Sequence, residues 1–323
     1  MKVIRNLESL PAPERASVLT IGNFDGVHRA HQRLISSVVE AARAGGAAAV
    51  VVTFDPHPLR VLVPDRAPKM LTPFEVKASL IAALGVDILL VLPFTRELSR
   101  LSPSQFVSEI LVEALHAAVV QVGPTFRFGH EQQGTVEALA QLGMQEGFQL
   151  DVLPMLKYRG EAVSSSRIRQ MIEEGRVARA ARLLGRPFSN SGKVVAGIGV
   201  GRSQTVPTLN LAPVEEQIPK IGVYVSRTGV GATWLPSVTN VGHKPTFGNY
   251  PVTVESFLLD FSGEIGEREM EVEYLYRLRD EMKFPSPAAL KAQIGRDAAR
   301  ARRYFQLARF FSNRRDSQLT ADR

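Results

Sequence analysis

Gly22-Asn23-Phe24-Asp25-Gly26-Val27-His28-Arg29-Ala30-His31 is the stretch that decides how the first half of this chain folds. Ahead of it, Ser17-Val18-Leu19-Thr20-Ile21 is a short, mainly apolar run that reads as a buried strand. Behind it, residues 27, 30, 34, 35, 38 and 42 are apolar at helical spacing. Gly45-Gly46 then stops the helix, because glycine takes the left-handed C-terminal geometry at little cost. The stretch is therefore a strand-to-helix turn, where backbone N–H groups and the positive helix end can meet an anion. His28 and His31 fall three apart, on one face of the first helical turn. Two imidazoles there suit negative charge developing on phosphorus. Plainer readings stand beside this one. Asp25 can cap the helix in a purely structural turn. A histidine pair can also bind metal, although zinc wants four ligands and the chain has no cysteine.

Outward from the turn, strand and helix signals alternate. Apolar runs at 47–54, 86–92, 117–122 and 148–153 read as further buried strands, with helical patterns at 73–84, 103–115 and 135–146. Such alternation implies a parallel, doubly wound α/β sheet, whose ligands bind at the carboxyl ends of the strands. Two unusual segments fall at those ends, and a third follows them. Thr53-Phe54-Asp55-Pro56-His57-Pro58 is fixed by its prolines, either as a rigid loop or to aim Asp55 or His57. Gly123-Pro124-Thr125-Phe126-Arg127-Phe128-Gly129 sets two aromatics around an arginine, fit for a flat ring and a phosphate or for the core. Ser164-Ser165-Ser166-Arg167-Ile168-Arg169 opens a helix with hydroxyls and guanidinium groups, a second anion site or a serine cap.

The texture changes after Gly185-Arg186-Pro187, which puts a domain boundary there and predicts domains 1–184 and 185–323. Strand-length runs at 192–198, 220–227, 233–241, 252–261 and 268–276 alternate with turn residues, as in an antiparallel sheet or small barrel. Within them, Gly197-Ile198-Gly199-Val200-Gly201-Arg202 leads to Pro207-Thr208-Leu209-Asn210. Glycines admit a close phosphate or simply bend a hairpin. Thr208 and Asn210 lie two apart on an extended segment and offer hard oxygens on one side, suited to Mg2+. The Gly-Lys-Ser/Thr of a Walker loop is missing. Helices from 287 close the chain.

Composition narrows the classes. The 323 residues suggest two domains, and 45% apolar with 22% charged residues is an ordinary globular profile. No apolar run is long enough for a membrane helix, and the first residues lack a signal core. Absent cysteine excludes disulfides and thiol chemistry; a cytoplasmic location is expected. The net charge of +7 allows a polyanionic ligand, nucleotide or nucleic acid. Much of the excess lies in 296–315, which reads first as a solvated helix face.

Seven blocks, in order, resemble the bacterial bifunctional riboflavin kinase/FAD synthetase family. Gly-x-Phe-Asp-Gly-Val-His-x-x-His resembles its form of the His-x-x-His motif, with Ala30 where the family usually has glycine. Thr53–Pro58 resembles a second block, and Val-Gly-x-x-Phe-x-Phe-Gly a third, with Thr125 where the family has Asn or Asp. The serine-arginine stretch is similar to its Ile-Ser-Ser-Thr-x-Ile-Arg loop. The kinase module's Gly-Arg-x-x-Gly-Phe-Pro-Thr-Ala-Asn is matched at Gly201, Arg202, Pro207, Thr208 and Asn210, and departed from at Thr205, Val206 and Leu209. Two further blocks resemble Asn240–Gly248 and Leu278–Phe284, with Glu255 between them.

The resemblance implies a Rossmann-like nucleotidylyltransferase domain followed by a β-barrel kinase domain. It implies that FMN is adenylylated by ATP with release of pyrophosphate, at a site built from His28, His31, Gly22, Asn23, Phe24, Asp25, Thr125, Ser164, Ser165 and Arg169. Asp55, Phe126, Phe128 and Arg279 would meet the flavin. It implies that riboflavin is phosphorylated with Glu255 as base and ATP on Gly197, Gly201, Arg202, Thr208 and Asn210, the last two holding Mg2+. Small molecules (riboflavin, FMN, ATP) are then the expected partners, with neither nucleic acid nor membrane. A chain with one working half is the alternative within the family; a non-catalytic nucleic-acid binder is the alternative outside it.

Overall fold

The structure, a computed structural model, describes residues 1–10, 15–195, 208–242, 252–261 and 269–321, with side chains to 308 in the last helix. The chain divides into two compact units, Met1–Arg167 and Ile168–Arg323.

The first unit is a parallel α/β sheet. Its elements run β1 (Lys2–Ile4), β2 (Ser17–Ile21), α1 (Arg29–Ala44), β3 (Ala48–Phe54), α2 (Pro58–Leu62), α3 (Phe74–Ala82) and β4 (Ile88–Leu92). Then come α4 (Pro103–Gln105), continued by π-type turns over Phe106–Ala114, β5 (Ala117–Val122), α5 (Val136–Glu146) and β6 (Gln149–Val152). A small hairpin, β7 (Lys157–Tyr158) and β8 (Glu161–Ala162), precedes α6 (Ser165–Glu173). The strand order is β1-β4-β3-β2-β5-β6, every pair parallel.

Both faces of this sheet are covered, which is why the strands read as continuous apolar runs. Val50, Val52, Leu90 and Val120 face Phe106, Ile110 and Leu111 on one side. Val51, Leu89 and Val91 face Ile35 and Ile81 on the other. The β1 strand was not foreseen: three residues are too few to show a period, and it forms only by pairing with β4.

The second unit adds α7 (Val177–Leu184), β9 (Phe188–Val195), β10 (Thr208–Leu211), β11 (Gly222–Val230), β12 (Thr233–Gly242), β13 (Thr253–Leu258), β14 (Glu269–Arg279) and α8 (Pro287–Ala321). The strands close an antiparallel barrel in the order β10-β13-β12-β11-β14-β9. Inside it, hydroxyls form a buried chain: Thr228 to Ser237 to Ser226 to Thr239 to Ser256, at 2.6–2.8 Å per step. Each buried oxygen thereby gains a partner. Outside, Val223, Val225, Val238 and Phe257 pack under Ala298 and Ala301 of α8. Arg296, Arg300, Arg302 and Arg303 lie on the exposed face of that helix, as the charge run suggested. Arg302 pairs with Asp260 and Arg296 with Gln293.

Candidate functional sites

Strand order reverses between β2 and β5: the chain leaves β2 towards β3 on one side and returns through β5 to β6 on the other. Such a switch point opens a crevice at the carboxyl ends of the strands. Ile21 pairs with Val52 of β3, and Leu19 with Val120 of β5, so those strands end side by side. The loops beginning at Gly22, Asp55 and Gly123 therefore share one edge. The peptide Asp55–Pro56 is cis.

The Gly22 turn is tightly specified. A Cβ on Gly22 would stand 3.2 Å from the Phe24 ring, a tight contact that would push the ring back by a few tenths of an ångström. Phe24, Gly26 and Val27 all have positive φ, at 47°, 82° and 38°. Such geometry is costly for Phe and Val and persists where surroundings hold it. Here the Val27 N–H donates to the Phe24 carbonyl at 3.1 Å, and the Gly26 N–H to Thr72 Oγ1 at 3.2 Å. Asp25 does not cap the helix. Its buried carboxylate accepts the N–H of Leu71 at 2.9 and 3.0 Å and that of Thr72 at 3.3 Å. The strained turn delays the helix to Arg29, and His28 is the cap: its Nδ1 accepts the His31 N–H at 3.3 Å.

That bond sets the chemistry of His28. With Nδ1 an acceptor, the neutral ring carries its proton on Nε2. His28 and His31 stack, with centroids 3.5 Å apart and planes at 18°, and Phe24 meets His31 edge-on at 5.2 Å. Burial, then His28, then Lys77 hold His31 well below the usual histidine range, so its ring is neutral at neutral pH. Its Nδ1 is buried with no partner among the described residues. Asn23 Nδ2 lies 3.2 Å from His57 Nε2, while His57 Nδ1 accepts the Leu59 N–H and starts α2. Asp55 is exposed and 3.7 Å from Arg5.

Two other segments reach this edge. After β5, Thr125 is exposed, and Phe126 stacks on Phe128 at 5.6 Å. Phe128 itself is a core residue against Phe106, and its backbone bridges to Gly134, where a Cβ would strike the Phe128 ring. Before α6, Ser164 Oγ accepts the Arg167 N–H at 3.3 Å, and Arg167 pairs with Glu161 at 3.0 Å. Ser165 Oγ donates to the Asp25 carbonyl at 2.9 Å, joining the serine loop to the Gly22 turn across 140 residues. Arg169 lies one turn along the same helix, half-buried.

Lys77 lies against the Gly22 turn, and the sequence reading missed it. It is 3% exposed, and its ammonium donates to Thr53 Oγ1 at 3.2 Å and to the Asn23 carbonyl at 3.4 Å. The signal was present: Lys77 shares a helical stripe with Phe74, Ala78 and Ile81, a lysine on an apolar face.

On the barrel, Asn210 stands across from Glu255 in the β10–β13 pair, and Asn240 across from Glu255 in the β12–β13 pair. Opposed residues share a face with Cβ atoms about 5 Å apart. The three side chains therefore line one row, and Thr208 lies on the same face. Glu255 is half-buried and Asn210 is 5% exposed, while Ser256, next along β13, turns to the other face and into the hydroxyl chain. Arg279 is committed to a buried partner, with Nε and Nη2 each 2.9 Å from Asp297, and its ring neighbour is Phe284 at 5.8 Å. Gly197, Gly201, Arg202, Thr205 and Val206 lie outside the described residues, as does most of the 240–248 block.

Comparison with known proteins agrees with both halves. The family model for FAD synthetase matches residues 10–167, and that for riboflavin kinase matches 184–305. The bifunctional riboflavin kinase/FMN adenylyltransferase of Escherichia coli K12 is 38% identical over 312 residues, covering 96% of this chain and 99% of that protein. Its namesake from Pseudomonas fluorescens is 36% identical over 303 residues, covering 94% and 97%. A solved structure titled as a macrolide-efflux protein of Streptococcus pneumoniae superposes with a TM-score of 0.84 at 29% identity, covering 93% of this chain and 98% of that one. Among the described residues, no helix here is long and apolar enough to cross a membrane.

Proposed function

This chain belongs to the family of bifunctional riboflavin kinase/FMN adenylyltransferases, and we propose how its residues divide the two reactions. The protein phosphorylates riboflavin to FMN and adenylylates FMN to FAD, using ATP in both steps. We assign residues 1–184 to the adenylyltransferase and 185–323 to the kinase, a division that the two family matches support.

The observation that carries the adenylyl assignment is the Ser165–Asp25 hydrogen bond. It supports a single triphosphate site made of two remote segments. The FMN phosphate attacks the α-phosphorus of ATP, the bond to the bridging oxygen breaks, and pyrophosphate leaves. No base is required, since the attacking phosphate is ionised. His28 donates Nε2–H to the α-phosphoryl oxygens with His31 stacked behind it, and the turn residues Gly22, Asn23 and Phe24 line the approach. Ser164, Ser165 and Arg169 hold the β- and γ-phosphates. Such donors act where charge builds in the transition state. Phe126 offers its open face to the isoalloxazine, Phe128 backs it from the core, and Thr125 and Asp55 flank the ligands.

In the kinase half, Glu255 takes the proton from the ribityl 5′-hydroxyl as its oxygen attacks the γ-phosphorus of ATP and ADP leaves. Thr208 and Asn210 suit Mg2+: both donors are hard oxygens on one face, and no described residue hydrogen-bonds the nearly buried Asn210 amide. When bound there, Mg2+ neutralises phosphate charge. Arg279 ties α8 to the barrel through Asp297 and borders the flavin. The cytoplasm, where ATP and riboflavin meet, is the expected location.

The test is a paired assay. Riboflavin with ATP yields FMN and then FAD; FMN with ATP yields FAD and pyrophosphate. Failure to form FAD from supplied FMN would sink the adenylyl assignment and leave the kinase assignment standing.

A further inference from the structure

Lys77 carries its ammonium into a nearly closed place, where burial pushes its pKa down, and its hydrogen-bond acceptors are two neutral oxygens, with the Phe74 ring 5.5 Å away. Three atoms meet there: Lys77 Nζ donates to Thr53 Oγ1 at 3.2 Å and to the Asn23 carbonyl at 3.4 Å, and Thr53 Oγ1 donates to the same carbonyl at 3.3 Å. Burying an ammonium is costly unless it is paired and hydrogen-bonded, and here two oxygens accept from it. The cluster lies on the strands' carboxyl edge, at the second residue of the strained turn.

The geometry of one peptide plane gives that charge a task. In a trans peptide the carbonyl of one residue and the N–H of the next point in opposite directions. The Asn23 carbonyl is pulled inward by Lys77 and Thr53. The Phe24 N–H therefore points away from them, and no described residue accepts it. We propose that Lys77 is a positioning residue for adenylyl transfer: by holding the Asn23 carbonyl inward it turns the Phe24 N–H outward, as a fixed donor to the phosphoryl group being transferred. The inference rests on the reading of the Gly22–His31 turn as the adenylyl site.

A second consequence follows from the same charge. The titratable groups around His31 are His28 on the turn and Lys77 on α3; burial lowers the Lys77 pKa, and Asp25 and then Asp55 partly offset that. A cation at Lys77 disfavours a second one at His31. His31 therefore stays neutral at neutral pH.

The experiment uses the full chain and the variants Lys77→Met, Lys77→Arg and Thr53→Val. FAD formation from FMN is read as kcat and KM across pH, and His31 is titrated by NMR. Lys77→Met is expected to lower kcat about 100-fold, the usual effect of losing one aligned donor, with KM for ATP within about threefold. Its acid limb and the His31 titration should both move up in pH, and Lys77→Arg should recover part of the rate. FMN formation from riboflavin should be unchanged in all three. If Lys77→Met does not fold in its first unit, Thr53→Val decides, with a kcat loss of about tenfold expected. A Lys77→Met or Thr53→Val enzyme at the wild-type kcat overturns the proposal, and so does an unmoved His31 titration. A wild-type chain that makes no FAD removes the adenylyl reading itself, whereas an active wild type with an indifferent Lys77→Met removes only this proposal.

Discussion

Ser165 and Asp25 are 140 residues apart in the chain, and the hydroxyl of one donates to the backbone carbonyl of the other at 2.9 Å. The bond fixes the first residue of α6 against the middle of the strained turn. A single neutral hydrogen bond is worth only about 1 kcal/mol to the fold, so its removal should be tolerated. Its geometric role is larger, because misplacing a phosphate clamp by an ångström costs about 100-fold in rate. Ser165→Ala should therefore lower FAD formation by at least tenfold, with Ser165→Thr closer to wild type and FMN formation unaffected. Product analysis by chromatography separates the two reactions. Equal losses in both would show a general defect instead.

Glu255 is flanked by Asn210 and Asn240 on its two neighbouring strands. A general base typically contributes 100- to 10,000-fold, roughly. Glu255→Gln keeps the shape and loses the base, so riboflavin phosphorylation should fall by about that factor. FAD formation from supplied FMN should be untouched. Retained kinase activity in Glu255→Gln would remove Glu255 from the proton transfer.

The alternation of apolar runs and helical stripes was enough to read the parallel sheet, because both of its faces are buried and hydrophobic burial writes itself into composition. The barrel was readable as antiparallel strands, but its closure was not. That depends on β10 pairing with β9 at Asn210–Val195 and Leu211–Val194, a long-range choice invisible in local pattern. The His28–His31 spacing was legible. The start of the helix was not, because three positive-φ residues at 24–27 delay it, and an Asp that looks like a cap is drawn away to Leu71 and Thr72. Nothing in sequence reveals that Asp297, nearly three turns into α8, also takes the Arg279 guanidinium. Lys77 was overlooked because a lysine in a helix is ordinarily solvated, and only the packed structure shows where its ammonium ends.

The Arg279–Asp297 pair yields a stability prediction. Asp297 is 1% exposed and also accepts from Gln293 at 3.0 Å. Removing one partner of a buried pair strands the other charge, at a cost of roughly 3–5 kcal/mol. Asp297→Ala should accordingly lower the unfolding free energy of the second unit, read from its urea titration, by an amount in that range, and loosen α8 from the barrel. Replacing Asp297 with Asn should cost less, since the amide can still accept one guanidinium hydrogen bond. A change in FMN formation without a change in midpoint would argue that Arg279 acts on the flavin directly.

His31 gives the chain a defined acid limb. Burial, then His28 and Lys77, hold its folded pKa well below the ordinary value of about 6.5. As pH falls below about 6.5, the unfolded chain binds a proton that the folded chain refuses. The unfolded state then holds more protons, so stability rises with pH across this window and is fully present above it. Going downward, the first unit should lose at most about 1.4 kcal/mol per pH unit from this residue until the folded pKa is reached. His31→Gln removes the titration. Urea unfolding of wild type and His31→Gln at pH 7 and pH 5 should show a stability difference that shifts in favour of the variant at the lower pH. If the two proteins lose stability in parallel, the acid limb belongs to other groups, and His31 is not held neutral by its surroundings.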